Sequence, residues 1–181
     1  MKKVLFLDRD GTLNVDHGYI ASPERFELIP GTLEALGLFQ RRGYEFIIVT
    51  NQSGIARGYY TVADMGRVHE HFFQLCAAAD IRILDVFYCP HHVEGVHPEL
   101  AKPCNCRKPG TGMFEQATSK YLIDIRQSYM IGDKMIDVLA GRAAGLNPVF
   151  VGPSPPEPLP ERTLVFPRLF DFAEWFAERG P

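Results

Sequence analysis

Short β-branched, apolar segments alternate with longer segments of helical periodicity along the chain, and this alternation limits the possible folds more than any other feature. It is typical of an α/β domain in which helices connect parallel strands. We therefore predict a Rossmann-like parallel sheet flanked by helices. Strands are predicted at residues 3–8, 44–50, 86–89, 128–131, 148–151 and 163–166, and helices at 32–42, 61–79, 111–122, 135–144 and 169–179.

Size and charge exclude several classes of function. The chain has 181 residues, of which 46% are apolar, and this predicts one domain over residues 1–181. A formal net charge of −3 with mixed signs argues against a general nucleic-acid surface. The apolar runs, such as residues 46–49, are too short to span a bilayer. We expect a monomeric, cytoplasmic protein without a nucleic-acid or membrane partner, whose cysteines are thiols or metal ligands.

Polar groups that can handle phosphate follow three of the predicted strands. Asp8 ends the first strand and Asp10 follows it, Thr50 ends the second and is followed by successive backbone amides, and Asp133 follows the fourth. Ligands of open α/β sheets bind outside the carboxyl ends of the strands. Residues i and i+2 of an extended segment share one side, so Asp8 and Asp10 can face one substrate. The sequence therefore predicts a phosphate site at this edge of the sheet.

A cation is needed at that edge because the carboxylates of Asp8 and Asp133 would otherwise repel each other. Mg²⁺ is expected, since it prefers oxygen ligands and bridges to substrate phosphate. Arg107 and Lys108 supply two further fixed positive charges.

These groups predict phosphoryl transfer in two steps. Asp8 attacks phosphorus and forms an acyl phosphate. Asp10 protonates the departing alkoxide and later takes a proton from the attacking water. Mg²⁺, Thr50 and Lys108 would stabilise charge on the transferring phosphoryl oxygens.

The chain resembles the phosphatases of the haloacid dehalogenase (HAD) superfamily, whose four motifs it matches in order at DRDGT (residues 8–12), Thr50, Lys108 and GDKMID (residues 132–137). The resemblance implies a HAD fold with Asp8 as the nucleophile and Asp10 as the general acid and base. It also implies that Mg²⁺ is bound by the Asp8 and Asp133 carboxylates and the Asp10 backbone carbonyl. Asp137 would support these ligands without binding the metal.

The spacing of these motifs leaves no room for a cap domain. Asp8 and Thr50 are 42 positions apart, Thr50 and Lys108 are 58 positions apart, and the predicted core elements fill both intervals. We expect an open site that is shaped by the loop at residues 14–30 and by a cysteine-rich loop at about residues 89–107.

The cysteine-rich loop carries the pattern C-x-H-x12-C-x-C, at Cys89, His91, Cys104 and Cys106. Three thiolates and one imidazole suit a closed tetrahedral zinc site. His92 and His97 compete with His91 for the fourth position. A disulfide is disfavoured because Cys104 and Cys106 are too near in sequence and the cytosol is reducing. The remaining alternative is a set of unconnected surface cysteines. Zinc would fix the loop next to Arg107 and Lys108, whose ordering at the site would otherwise cost conformational entropy.

The segments CPHH…CNCRKP, TNQSGIARG and NVDHGY resemble the heptose-bisphosphate phosphatase branch of the superfamily. That resemblance favours His91 as the fourth zinc ligand. It implies hydrolysis of the 7-phosphate of D-glycero-D-manno-heptose 1,7-bisphosphate, in the synthesis of a lipopolysaccharide core or surface glycan. The implied substrate contacts are Asp16, His17, Gly18, Tyr19, Thr50, Asn51, Gln52, Ser53, Arg107, Lys108 and Lys134.

Several alternatives stay open at this point. Arg57 and Arg107 could bind a second phosphate, or Arg57 could be a surface charge. His17 and Tyr19 could equally be packing residues. The related histidinol-phosphate phosphatases share the nucleophile motif and the zinc loop. A signalling receiver domain also forms an aspartyl phosphate, but it usually carries the phosphoacceptor on a later strand than the first.

Overall fold

The structure, a computed structural model, describes residues 1–179. Its centre is a six-stranded parallel sheet in the order β3-β2-β1-β4-β5-β6. The strands are β1 (Lys3–Leu7), β2 (Tyr44–Asn51), β3 (Ile83–Cys89), β4 (Tyr129–Gly132), β5 (Asn147–Val151) and β6 (Leu164–Phe166). The helices are α1 (Thr32–Arg41), α2 (Val62–Ala78), α3 (Gly112–Lys120), α4 (Met135–Ala143) and α5 (Leu169–Arg179).

Strand β1 shows why the sheet is covered on both faces. Successive side chains of a strand point to opposite faces. Leu5 and Leu7 pack in the core cluster that contains buried residues of α1, α2 and α5. Val4 and Phe6 pack in the other cluster, with residues of α3 and α4. A continuous apolar run is what a central parallel strand requires, because neither of its faces meets water.

Helix α2 begins as its sequence predicts. The side chain of Thr61 accepts a hydrogen bond from the Asp64 amide over 3.1 Å, and the Asp64 carboxylate accepts one from the Thr61 amide over 2.7 Å. This reciprocal pair satisfies two amides that would have no partner inside the helix.

All predicted strands and helices are present, and β6 forms one edge of the sheet as expected. Only β3 differs by more than two residues, because it begins at Ile83 and not at Val86. Asp85 interrupts the apolar pattern there, which hides the start of the strand. On this edge strand its carboxylate accepts hydrogen bonds from Lys120 over 2.7 Å and from Tyr121 over 2.9 Å.

The strand order brings the predicted phosphate-handling residues together. β1 lies between β2 and β4, so Asp8, Thr50 and Asp133 meet at the carboxyl ends of these three strands. Within residues 1–179, all six strands belong to this one sheet, and the intervals between the motifs hold core elements and loops, as the prediction of a capless HAD fold requires. In the same range there is no helix of the length and apolarity that crossing a membrane would need.

Candidate active site

Lys108 connects the ends of β1 and β2 at the candidate site. Its Nζ donates to Asp8 Oδ1 over 2.8 Å and to the Val49 carbonyl over 2.7 Å. Asn51 holds the Lys108 backbone, since its side chain accepts from the Lys108 amide over 3.0 Å and donates to the Lys108 carbonyl over 3.1 Å. Lys108 is only 2% exposed, so its charge acts in a region largely removed from water.

Three carboxylates converge beside this ammonium group. One oxygen from each of Asp8, Asp133 and Asp137 lies within 4.8 Å of the others. Two glycines allow the approach. A Cβ at Gly11, whose φ is +88°, would overlap the Asp133 carboxylate, and a Cβ at Gly132 would overlap Asp137. The glycines of both motifs are therefore required by the close packing of carboxylates against the backbone.

The carboxylates carry more negative charge than their neighbours neutralise. Burial raises the pKa of Asp8 from 3.8 to about 7 against the opposing effect of Lys108, and the Asp137 and Asp133 charges raise it further. Burial also raises the pKa of Asp133 to about 6, although Lys134 opposes this. For Lys108, burial would lower the pKa, but Asp137 and Asp8 raise it above the usual value.

Unsatisfied oxygens point to a metal ion in the same place. Oδ1 of Asp133 and Oδ1 of Asp137 are buried and lack a hydrogen-bond partner among the described residues. The Asp137 oxygen lies 2.7 Å from Lys108 Nζ, but outside the angles of a hydrogen bond. An all-oxygen donor set with excess negative charge fits a hard divalent cation such as Mg²⁺.

Asp10 is held apart from these carboxylates by four donors. Arg9 contacts both of its oxygens, through Nε over 3.1 Å and Nη2 over 2.8 Å. Asn14 Nδ2 donates to Oδ1 over 3.0 Å, and Gln52 Nε2 donates to Oδ2 over 3.0 Å. Burial would raise the pKa of Asp10, but Arg9 and these hydrogen bonds lower it below its ordinary value.

A cavity of about 370 Å³ opens over Asp8 and Asp10. It contains ten of the eleven predicted substrate contacts. The residues lining it are Asp8, Asp10, Asp16, Gly18, Tyr19, Thr50, Asn51, Gln52, Ser53, Tyr60, Arg107, Lys108, Lys134, Ile136 and Asp137.

Two further cations lie on the cavity wall, Arg107 and Lys134. Lys134 Nζ is 3.1 Å from Asp16 Oδ2 and 3.7 Å from Asp133 Oδ2. Arg107 Nη1 is buried and has no hydrogen-bond partner among the described residues. A partly buried guanidinium with a free donor is suited to an anionic group of a ligand.

Two predicted candidates lie elsewhere. His17 is absent from the cavity lining, and its Nε2 lies 2.9 Å from Glu27 Oε2. Arg57 is also absent from the lining, and it pairs with Glu94 over 2.8 Å. The second-phosphate role considered for Arg57 has no geometric support, because its charge is used to hold the cysteine-rich loop.

Sequence reasoning missed two lining residues, Tyr60 and Ile136. Tyr60 is buried, and its hydroxyl donates to Gln52 Oε1 over 2.6 Å. Gln52 in turn donates to Thr50 Oγ1 over 2.8 Å as well as to Asp10. No motif marks Tyr60, whereas Ile136 lies inside GDKMID and could have been identified by its place between Lys134 and Asp137.

The structure brings the predicted zinc ligands together, at Cys89, His91, Cys104 and Cys106. Nδ1 of His91 is 3.2 Å from Cys106 Sγ, and all four ligand atoms lie within 4.8 Å of one another. The cysteines are free thiols. His92 contacts Arg57 instead, over 3.1 Å, so the geometry favours His91 among the three histidines considered. A cluster of three thiols and one imidazole is the donor set of a structural zinc site.

Comparison with known proteins gives the family. A HAD-hydrolase-like family model matches residues 105–162. The D-glycero-beta-D-manno-heptose-1,7-bisphosphate 7-phosphatase of Pasteurella multocida is 45% identical over 147 residues, which cover 81% of this chain and 79% of that protein. The chain belongs to this family of HAD-like phosphatases. It is therefore a hydrolase of phosphoric monoesters, as the motifs DRDGT and GDKMID predict.

Other relatives agree. The D-glycero-alpha-D-manno-heptose-1,7-bisphosphate 7-phosphatase of Photorhabdus laumondii is 44% identical, covering 82% of this chain and 81% of that one. The crystal structure of a D,D-heptose 1,7-bisphosphate phosphatase from B. bronchiseptica, complexed with magnesium and phosphate, has a TM-score of 0.85. It is 29% identical and covers 97% of this chain and 98% of that one. The predicted HAD fold and heptose-bisphosphate phosphatase branch are thus confirmed.

Proposed function

We propose that the enzyme hydrolyses the 7-phosphate of D-glycero-D-manno-heptose 1,7-bisphosphate, giving heptose 1-phosphate and inorganic phosphate. The observation that carries this proposal is the set of relatives at 43–46% identity over about four-fifths of the chain, all named for this reaction. The cavity supports it. A nucleophile candidate lies at its base, and cations that could bind a second phosphate lie on its wall. The pathway we propose is the synthesis of a lipopolysaccharide core or surface glycan.

In the first step, Asp8 is the proposed nucleophile. Its carboxylate oxygen forms a bond to phosphorus while the bond from phosphorus to the sugar oxygen breaks. Lys108, 2.8 Å from Asp8, keeps the carboxylate oriented and supplies positive charge beside the transferring phosphoryl group. Asp10 gives a proton to the departing sugar oxygen, so heptose 1-phosphate leaves as an alcohol. Thr50 is buried on the cavity wall, where its hydroxyl can donate to a phosphoryl oxygen.

In the second step, water replaces the sugar. Asp10, now unprotonated, takes a proton from the water as its oxygen bonds to phosphorus. The bond between phosphorus and Asp8 breaks, inorganic phosphate leaves, and Asp8 returns to a carboxylate. One residue therefore serves as acid and then as base, which requires that its carboxyl group stay in place through both steps.

Mg²⁺ is the proposed catalytic cation. The Asp8 and Asp133 carboxylates and the Asp10 backbone carbonyl would hold it. Asp137 would support these ligands without binding the metal. When bound, it neutralises the carboxylate cluster and stabilises charge on the phosphoryl oxygens. The unpartnered Oδ1 of Asp133 supports this assignment, whereas Oδ1 of Asp137 lies 2.7 Å from Lys108 Nζ.

Substrate recognition and the structural metal complete the proposal. We assign the second phosphate and the sugar hydroxyls to Arg107, Lys134 and Asp16 on the cavity wall. Zn²⁺ bound by the three cysteines and His91 would fix the loop that ends at Arg107 and Lys108. We further propose one monomeric, cytoplasmic domain over residues 1–181.

The test compares phosphate release, with added Mg²⁺, from both anomers of heptose 1,7-bisphosphate, fructose 1,6-bisphosphate and histidinol phosphate. The proposal expects a heptose bisphosphate to have the highest kcat/KM, and the favoured anomer indicates the pathway. A preference for histidinol phosphate would agree with the proposed hydrolysis of a phosphate ester and reject heptose 1,7-bisphosphate as the substrate. Release of no phosphate from any alkyl ester would reject both.

A further inference from the structure

Arg9, between the two aspartates of the first motif, is a buried cation that the catalytic steps above leave without a role. It is the largest of the fully buried side chains in the described residues, with 0% of its surface exposed. A guanidinium withdrawn from water costs free energy unless its donors are paired. The carboxylate it pairs with is Asp10, which it contacts in a two-pronged manner.

His69, on α2, holds the other side of the guanidinium. Arg9 Nη1 lies 3.2 Å from His69 Nε2. Since a guanidinium has only donors, Nε2 must be the accepting nitrogen and the ring must be neutral. Burial, together with the charge of Arg9, lowers the pKa of His69 to about 4, in agreement with a neutral ring. His69 is therefore a buried acceptor that fixes the rotation of the Arg9 side chain.

Two amides fill the remaining acceptor positions of Asp10. They come from Asn14 and from Gln52, which Tyr60 holds by a hydrogen bond of 2.6 Å. A carboxyl group that carries a proton donates with one oxygen, so one of these contacts must open during turnover. The hydrogen bonds from the neutral amides are weaker than the charge-assisted contact with Arg9. The Arg9 contact can therefore persist while one amide hydrogen bond breaks.

We propose that Arg9, anchored by His69, is a positioning residue that fixes the Asp10 carboxyl group for proton transfer to the leaving sugar oxygen. The inference rests on the proposed role of Asp10 as general acid. In that step the bond from phosphorus to the sugar oxygen breaks, its electron pair stays on the oxygen, and the Asp10 proton moves there. Helix α2, which supplies none of the residues that line the cavity, is thereby connected to the chemistry.

The leaving group distinguishes this role from a structural one. A sugar alkoxide is a strong base and needs a proton as it departs, whereas p-nitrophenolate is stable without one. Misplacement of Asp10 should therefore lower kcat/KM for the sugar phosphate and have little effect on kcat/KM for p-nitrophenyl phosphate, because this ratio reports the steps up to release of the leaving group and not the later attack of water, which is common to both esters. A general loss of structure would slow both.

The experiment measures kcat and KM for heptose 1,7-bisphosphate and p-nitrophenyl phosphate, with added Mg²⁺. Fructose 1,6-bisphosphate replaces the heptose if the wild type does not hydrolyse it. The variants are Asp10→Asn, His69→Leu, which removes the acceptor, and His69→Gln, whose amide oxygen can accept near the Nε2 position. His71→Leu is the matched control, since this half-buried histidine of the same helix faces Phe26 at a ring distance of 6.0 Å.

General acid catalysis is worth about 10²–10⁴-fold, so we expect His69→Leu to lower kcat/KM on the sugar phosphate by roughly tenfold or more and on the aryl phosphate by less than about threefold. His69→Gln should recover most of the loss. Arg9→Lys, which keeps the charge and loses the fork, should show the same selectivity if His69→Leu does not fold.

Four outcomes would overturn the inference. Equal losses of kcat/KM on both esters in the folded His69→Leu protein, or a kcat/KM as high as that of the wild type, would show that the anchor does not act through Asp10. Selective loss in Asp10→Asn but not in His69→Leu or Arg9→Lys would reject the inference and leave the proposed function standing. Equal losses of kcat/KM on both esters in Asp10→Asn would reject the acid role itself.

Discussion

The Asp8→Asn substitution should make the Mg²⁺-free protein more stable while abolishing turnover. Burial and the neighbouring carboxylates disfavour the charged form of Asp8, and raise its pKa from 3.8 to about 7. A group whose pKa is raised in the folded state contributes stability below pH 3.8, and this contribution is lost as the pH rises through about 7.

The size of the effect follows from that shift. The full shift corresponds to roughly 4 kcal/mol at pH 8. Part of this is offset because Lys108 loses a charged partner, so we expect a net gain of about 1–3 kcal/mol in the free energy of unfolding. Added Mg²⁺ should reduce the gain, since it neutralises the same charge in the wild type.

Urea unfolding at pH 8, with and without Mg²⁺, measures this directly. Chelators are avoided so that the Cys–His cluster is not disturbed. Asp16→Asn is the control, because this side chain is 37% exposed and its removal should change stability little. An Asp8→Asn protein that is less stable than the wild type without Mg²⁺ would refute the charge argument, and activity above a few per cent would refute the nucleophile assignment.

Three further predictions concern the groups around the nucleophile. Cys106→Ser should release zinc and lower kcat by about tenfold or more, because the adjoining loop no longer holds Lys108 in place. Full activity in a protein that contains no zinc by elemental analysis would contradict this. Gly11→Ala should lose Mg²⁺-dependent activity, since its φ is +88° and the new methyl would meet Asp133, and an unchanged Mg²⁺ titration would count against it. Lys108→Met should lower the free energy of unfolding by about 3–5 kcal/mol without Mg²⁺, because it leaves buried carboxylates unpaired. An unchanged Tm would exclude that pairing.

Much of the fold could be predicted because its signals are local. The buried strand β1 ends at Leu7, directly before Asp8, and an acid at the end of an apolar run marks a strand end that faces a ligand. Helix α2 begins at a capping box visible in the sequence. The start of β3 was missed because Asp85 breaks the pattern, and only the contacts of its carboxylate with Lys120 and Tyr121 explain its place in a strand.

The candidate site was predictable where motifs carry charge and less so where packing decides. The cysteine spacing identified the Cys–His cluster, and strand ends identified the carboxylates. The burial of Arg9 could not be predicted, since an arginine between two aspartates is normally exposed. Its partner His69 lies 60 positions away, and only the packing of α2 brings the two together. Tyr60 was missed for the same reason.

The most direct test of the account is to trap the phosphorylated enzyme. Wild-type protein is mixed with heptose 1,7-bisphosphate and Mg²⁺, quenched in acid within the first turnover, digested and analysed by mass spectrometry. We expect a phosphoryl group on the peptide that contains Asp8. Fragmentation should assign it to that residue, and it should be absent from Asp8→Asn. A phosphoryl group on another residue, or none while phosphate is being released, would contradict the proposed mechanism.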